Sequence, residues 1–247
     1  MNREGLRVVA IIQARMRSTR LPGKVLKDLG GETVLARVVN RTRRATLLDK
    51  VVVATSVLPA DDAIVQECER LEVACFRGDE LDVLDRYYRA GIKFNADLIV
   101  RVTSDCPLID PHLINEHVNR LLSRWVQVDF VTNMVKQTYP LGLAVEAMPA
   151  DVLARMKRMS QSDMLKEHVT TLAYVEPGWF QIDHVVHAVD LSRLRWTVDT
   201  QEDLDLVRLI FQHFGHDRFS WEQVLPVMEQ YPEWIEINRN IRQKTLG

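Results

Sequence analysis

The sequence is poor in the features that mark secreted, membrane-bound or metal-stapled proteins. Its three cysteines, Cys68, Cys75 and Cys106, form neither an even set nor a Cys-x-x-Cys pair. That excludes a disulfide framework and a zinc ribbon and leaves reduced thiols. No run approaches the roughly 18 apolar residues of a membrane span, and no apolar signal core follows the first residues. A cytoplasmic protein without membrane attachment is the expectation. Neither a Gly-x4-Gly-Lys-Ser/Thr loop nor a Gly-x-Gly-x-x-Gly dinucleotide turn occurs. Internal repeats and low-complexity tracts are lacking as well, so one large α/β domain spanning residues 1–247 is expected. At 47% hydrophobic content such a chain can bury a full core.

What is present is an uneven charge. Residues 1–44 hold eleven Lys/Arg against three Asp/Glu, a net +8 in a chain whose total is −2. A local positive field of this size suits a small polyanion and not a polymeric nucleic acid, which calls for a longer basic surface. Arg41, Arg43 and Arg44 read as a solvated helix face. The other cations gather after an apolar run, Val8-Val9-Ala10-Ile11-Ile12-Gln13, in the loop Ala14-Arg15-Met16-Arg17-Ser18-Thr19-Arg20-Leu21-Pro22-Gly23-Lys24. Arg15, Arg17, Arg20 and Lys24 can meet phosphate oxygens, with Ser18, Thr19 and backbone amides as further donors. Read alone, the same stretch is also a basic surface loop.

The first half alternates apolar runs with amphipathic segments. The pattern predicts strands over 8–13, 51–55, 73–76 and 98–102, with helices from about 34, from about 61, over 83–94 and over 111–122. Thr33 and Asp61 stand at N-cap positions and Pro111 at a helix start. This predicts a mainly parallel sheet between two helical layers, with ligands beyond the carboxyl ends of the strands. After Asp129 the rhythm breaks, and residues 129–195 read as an inserted lobe with antiparallel strands: 128–133, 144–148 and 181–189, with a helix near 151–159. The main sheet is expected to resume at 194–198, followed by a helix over 201–214 and two short helices.

Two strand ends carry acids. Asp105, in Thr103-Ser104-Asp105-Cys106-Pro107, follows the run 98–102 and can bind a divalent cation accompanying a nucleotide; it is equally a turn residue before Pro107. Asp199 precedes Thr200, which reads as an N-cap, while Glu202 and Asp203 complement the helix dipole. Arg101, inside an apolar strand, requires an anionic partner from ligand or protein. From residues alone, a glycosyltransferase using a sugar nucleotide and a non-catalytic nucleotide binder stay open beside a nucleotidyltransferase.

Together with Asp79-Glu80-Leu81-Asp82-Val83-Leu84-Asp85-Arg86-Tyr87, Tyr139-Pro140-Leu141-Gly142-Leu143-Ala144-Val145-Glu146, Glu167-His168-Val169-Thr170 and Val198-Asp199-Thr200-Gln201-Glu202-Asp203-Leu204, these segments resemble the cytidylyltransferase family. That family includes spore-coat polysaccharide biosynthesis proteins and, more distantly, the acylneuraminate and 3-deoxy-manno-octulosonate cytidylyltransferases. The resemblance runs from residue 8 to about 208. It implies a nucleotide-diphospho-sugar transferase-like three-layer α/β sheet and Mg²⁺-dependent transfer of CMP from CTP to a sugar or sugar-acid acceptor, in surface glycan biosynthesis. By this match Arg15, Arg20, Lys24, Asp105 and Asp199 are catalytic, with Asp105 and Asp199 holding the metal. Gln13, Ala14, Ser18, Thr19, Thr55, Ser56, Arg77 and Arg101 join Arg15, Arg20, Lys24 and Asp105 around the nucleotide. Tyr139, Gly142, Glu146 and His168 face the acceptor. A homodimer formed through the lobe is also implied, using the apolar stretches 169–175 and 179–182. The chain departs from the family at Arg17, where many members carry a small residue; an Arg there either touches phosphate or points to solvent.

Overall fold

A computed structural model describes residues 5–176 and 178–243. Seven strands form one sheet: β1 (Val8–Gln13), β2 (Lys50–Ser56), β3 (Ala74–Gly78), β4 (Leu98–Thr103), β5 (Phe130–Thr132), β6 (Glu146–Pro149) and β7 (Ile182–His184). Their order is β3-β2-β1-β4-β6-β5-β7. The first four are parallel, with Ile12 paired to Val53 on one side and Val102 on the other. β6 runs antiparallel to both β4 and β5, and β7 is parallel to β5. The antiparallel strands expected after Asp129 are therefore continuous with the main sheet.

Among the described residues the α-helices are α1 (Val34–Thr42), α2 (Asp62–Arg70), α3 (Val83–Lys93), α4 (Pro111–Ser123), α5 (Ala150–Met159), α6 (Asp163–Glu167), α7 (Thr171–Val175), α8 (Gln201–Phe214), α9 (Trp221–Gln230) and α10 (Glu233–Asn238). β1 is apolar along its length because both of its faces are covered. Val8, Ala10 and Ile12 pack under α1, α4 and α8, whereas Val9 and Ile11 pack under α3 and α5. This is the expected three-layer arrangement. Thr33 caps α1 as expected, accepting from the Ala36 amide at 2.9 Å, and Asp110 caps α4 ahead of Pro111. Among the described residues no helix is long and apolar enough to cross a membrane.

Three local expectations are corrected. Residues 194–198 form no strand: they lie extended, bridged to Leu141 through the Leu141 N–H to Leu194 O bond at 2.8 Å and the Trp196 N–H to Leu141 O bond. The Val198 N–H instead bonds Asp105 O at 2.8 Å, so this apolar stretch ties the acidic strand end to the core without joining the sheet. Only Ile182–His184 of the expected 181–189 strand pairs with a neighbour. Arg41 is buried, not solvated; its Nε donates to Ile109 O at 2.7 Å and Nη1 to Asp217 O at 2.6 Å, bracing the turn before α4.

Sheet order places the site. β2 and β3 continue to one side of β1 while β4 lies on the other, so the chain reverses direction across the sheet between β1 and β4. The crevice beyond their carboxyl ends is where ligands bind in such sheets. Gly142 marks a close approach of two backbones: at φ +113° it is left-handed, and a Cβ would lie 2.6 Å from Trp196 C and Thr197 N. Gly142→Ala is expected to destabilise the fold by about 1–3 kcal/mol through backbone strain alone, before any collision is counted. Denaturant unfolding of the two proteins at pH 7 measures this.

Candidate active site

The loop after β1 is held by its backbone before any side chain acts. The Ala14 N–H donates to Ala54 O at 3.1 Å, extending β1 by one residue, and Gly23, left-handed at φ +67°, returns its N–H to Met16 O at 3.0 Å. Between them, the Met16 N–H donates to Asp61 Oδ1 at 2.8 Å. The other Asp61 oxygen accepts from Thr55 Oγ1 (3.0 Å), Ser56 N (3.0 Å) and Ser56 Oγ (2.5 Å). Asp61 thus pins the loop to the end of β2. This corrects two expectations: Asp61 makes no side-chain cap on α2, and Thr55 and Ser56 are buried under it and do not line the cleft. Arg77 likewise braces the turn after β2, donating to Ser56 O at 2.9 Å and Leu58 O at 3.0 Å and pairing with Asp62 at 2.7 Å.

Beyond β1 and β4 opens a cleft of about 200 Å³. Lys24 lies at its heart, with Nζ 2.8 Å from Asp105 Oδ2 and 2.7 Å from Asp199 Oδ1. Burial disfavours the ammonium, but the two carboxylates outweigh it and raise the Lys24 pKa. Burial alone would raise Asp105, yet Lys24 and the Thr103 hydroxyl, 2.6 Å from Oδ1, hold it down at about 2. Arg20 reaches Asp199 Oδ2 at 2.7 Å. Gln13, Ala14, Ser18 and Thr19 line the same cleft. So do Arg15, paired with Glu167 at 3.3 Å, and His168. Arg17 turns outward to Glu80 at 3.3 Å and lies outside the lining.

Arg101 enters from β4 and donates to Gln13 Oε1 at 3.1 Å. Its partner is Glu146, its neighbour in the β4–β6 register, whose carboxylate also accepts from Thr170 Oγ1 at 3.0 Å and from the Tyr174 hydroxyl. Glu146 is therefore buried behind Arg101, not turned toward the cleft. Tyr139 and Gly142 lie apart from it: Tyr139 packs on Trp221 and His187 with ring centroids 5.4 and 5.6 Å away. The structure does not bring these two together with the lining residues: the 139–142 turn packs on the core and on residues 194–197.

Six lining residues are absent from the expected set, Val25, Val83, Arg86, Thr103, Ser104 and Glu167, and of these Arg86 is the cation. Arg86 is buried and lines the cleft; Nη1 donates to Asp79 O at 2.9 Å, and Nε meets no partner among the described residues. Burial lowers its pKa. Its signal was legible: Arg86 sits three residues after Val83 and four before Ala90, on the apolar face of α3, where a cation needs an anion or acceptor. Cys106, also near, is buried, and burial raises its thiol pKa, so it is no nucleophile.

Among the described residues no group of three or more His, Cys, Asp or Glu side chains gathers around one point. Asp105 and Asp199, however, converge on a single cation, Lys24 Nζ, at the mouth of the loop. Two carboxylates completed by phosphate and water suit Mg²⁺, which seldom takes an all-protein cage.

A cationic loop after the first strand, facing carboxylates from two distant segments across the sheet's crossover point, defines a nucleotide-handling α/β enzyme. The chain belongs to the cytidylyltransferase family: residues 9–224 match the model described as Cytidylyltransferase. It is 31% identical to the spore coat polysaccharide biosynthesis protein SpsF of Bacillus subtilis, over 92% of this chain and 95% of that one. It is 38% identical to a 3-deoxy-manno-octulosonate cytidylyltransferase of Geobacter sulfurreducens over 115 residues, 46% of this chain and 44% of the other. Among solved structures it resembles a cytidylyltransferase of Leptospira borgpetersenii, with a TM-score of 0.91, 29% identity and coverage of 97% of this chain and 100% of that one. The chain is thus a nucleotidyltransferase, as its sequence motifs led one to expect.

The Asp61 clamp has a pH signature. Burial raises its pKa but the hydrogen bonds from Ser56, Met16 and Thr55 outweigh burial, so the folded value lies below the ordinary 3.8. The stability that the carboxylate contributes is then complete above the unfolded value and is lost as the pH falls through the lower folded value. Asp61→Asn is expected to cost about 1–3 kcal/mol at pH 7. The gap from wild type should narrow as pH drops below about 4, which denaturant unfolding across pH 7 to 3 reads out.

Proposed function

We propose that this chain transfers CMP from CTP to a hydroxyl of a sugar or sugar-acid acceptor, releasing pyrophosphate, with Mg²⁺ as cofactor, in the cytoplasm and toward a surface glycan. The observation that carries the reading is the convergence of Asp105 and Asp199 on one cation at the mouth of a loop lined by Arg15, Arg20 and Lys24. The relatives named for spore-coat polysaccharide biosynthesis and for 3-deoxy-manno-octulosonate support the acceptor class.

In-line displacement at the α-phosphorus needs positioning and charge neutralisation more than a covalent nucleophile. Arg15, Arg20 and Lys24 supply positive charge to the triphosphate, and burial strengthens the contact at Lys24, whereas Arg15 is exposed. Asp105 and Asp199 would hold Mg²⁺, which when bound polarises the phosphoryl oxygens. Arg86, buried beside the loop with an unpartnered Nε, offers donors to the nucleotide. Arg101 and His168 face the acceptor, with Glu146 keeping Arg101 in place.

The homodimer belongs to the same proposal. Val169, Leu172 and Phe180 are buried in the chain's own core, so the dimer surface on residues 129–195 would rest on the exposed Val135, Val175, Trp179, Val186 and Val189. Light scattering at micromolar concentration is expected to give the mass of two chains; a single-chain mass removes the dimer.

A pyrophosphate-release screen of the four nucleoside triphosphates against sugar acids, amino sugars and polyol phosphates tests the function. Turnover is expected with CTP, dependent on Mg²⁺. Asp105→Asn and Asp199→Asn should each lower the rate by about 10²-fold or more, the scale of losing one electrostatic stabiliser. Arg17→Gly should stay within about threefold of wild type, since Arg17 makes only an exposed ion pair. No release with CTP and any acceptor, or equal loss in Arg17→Gly and Asp105→Asn, would sink the reading.

A further inference from the structure

Asp199 is gripped on two sides. Oδ1 meets Lys24, while Oδ2 is shared by Arg20 Nη2 at 2.7 Å and Arg195 Nη2 at 3.0 Å. Arg20 belongs to the phosphate loop and lines the cleft; Arg195 stands behind the carboxylate and does not. The Arg195 guanidinium forks onto Asp203, Nε to Oδ1 at 2.8 Å and Nη2 to Oδ2 at 2.9 Å.

Asp203 is fully buried, and further donors occupy it: Asn238 Nδ2 at 2.8 Å on Oδ1, with the Asp199 and Thr200 amides at 3.0 and 3.1 Å on Oδ2. Asn238 also donates to Arg195 O at 2.9 Å, and Gln243 Oε1 accepts from Arg195 Nη1 at 2.8 Å. A capping box at the start of α8 requires only the reciprocal bonds between Thr200 and Asp203. The rest of the network serves Arg195.

We propose that Arg195, oriented by buried Asp203 and by Asn238 and Gln243 of the C-terminal segment, is a positioning residue that keeps Asp199 Oδ1 turned into the cleft. This rests on the CMP-transfer reading, in which Asp199 holds the metal. A carboxylate pivots freely about its Cβ–Cγ bond unless its far oxygen is fixed. A triphosphate competes for Arg20 and Lys24, both of which line the cleft, and draws them from the aspartate. Arg195 cannot follow, because its fork is spent on Asp203. Outer partners of a metal-binding group of this kind are commonly worth about 10–100-fold in metal affinity.

The test uses the full chain, CTP and Mn²⁺, with CTP binding read by calorimetry, bound Mn²⁺ by electron paramagnetic resonance, and melting measured in parallel. Arg195→Lys keeps the charge but cannot fork; it is expected to raise the Mn²⁺ midpoint of CTP binding about tenfold. Arg195→Met combined with Asp203→Asn removes both buried charges together, so neither is stranded, and is expected to shift the midpoint further. Gln243→Ala, at the exposed end of the network, leaves the core intact and should move the midpoint about twofold in the same direction. A lower melting temperature with a wild-type Mn²⁺ midpoint in the variants that fold would show a merely structural role and overturn the proposal alone. Failure of the wild-type chain to bind CTP at any Mn²⁺ concentration overturns the CMP-transfer reading and the proposal with it.

Discussion

The ammonium of Lys24 is the interaction on which the cleft depends. It joins residues 81 and 175 positions apart along the chain, and so closes two very long loops at one atom. Contacts this non-local form only after the strands that carry them have paired, so the site is a consequence of the sheet and cannot help nucleate it. Around that atom the charges balance: Lys24, Arg20 and Arg195 face Asp105, Asp199 and Asp203. A buried set of this kind contributes little net stability compared with apolar packing, while removal of one member strands a buried charge. Its place in the cleft is therefore better explained by chemistry than by folding.

Balance also limits what can enter. A free divalent cation approaching Asp105 and Asp199 meets an ammonium already between them and two guanidinium groups on the Asp199 side. A nucleotide carrying its own cation brings phosphate oxygens that compensate Lys24 and Arg20 as they release the carboxylates. Under the proposed reaction, the electrostatics thus favour metal and triphosphate arriving together over metal arriving first. The loop after β1 is held because Asp61 ties the Met16 amide to the end of β2, and groups fixed before binding lose less entropy on it.

Most of the framework was legible in the sequence, because period and burial follow directly from which faces a strand or helix must cover. β1 was readable to the residue, and the cationic loop and both aspartates stood at strand ends where ligands bind. The errors share one cause: a polar or apolar residue has several partners compatible with its position, and only the third dimension selects one. Thr55 and Ser56 have hydroxyls suited to ribose, but Asp61 lies six and five residues away and takes them. Residues 194–198 have a strand's composition, yet Leu141 and Asp105 capture their amides before the sheet can. Gly142 looked like part of a binding turn and is instead the place where two backbones approach too closely for a Cβ. Arg86 carried a signal of its own in its place on the apolar face of α3.

The change from parallel to antiparallel pairing at β4–β6 has its own consequence for the cleft. In that register Arg101 faces Glu146, so the cleft gains a cation whose counter-charge is supplied from behind by the same sheet. Glu146 is in turn held by Thr170 and Tyr174, from the segment that also presents Glu167 and His168 at the cleft wall. Short helices α6 and α7 therefore reach the cleft in two ways, by direct lining and by tuning Arg101 through a buried carboxylate. The other end of the cleft meets α6 at Arg15, which pairs with Glu167, while Gln13, Arg20, Lys24, Asp105 and Asp199 come from β1, the loop after it and the residues after β4 and before α8. Under the proposed reaction, a change in α6 or α7 would alter the acceptor side more than the phosphate loop, Asp105 and Asp199.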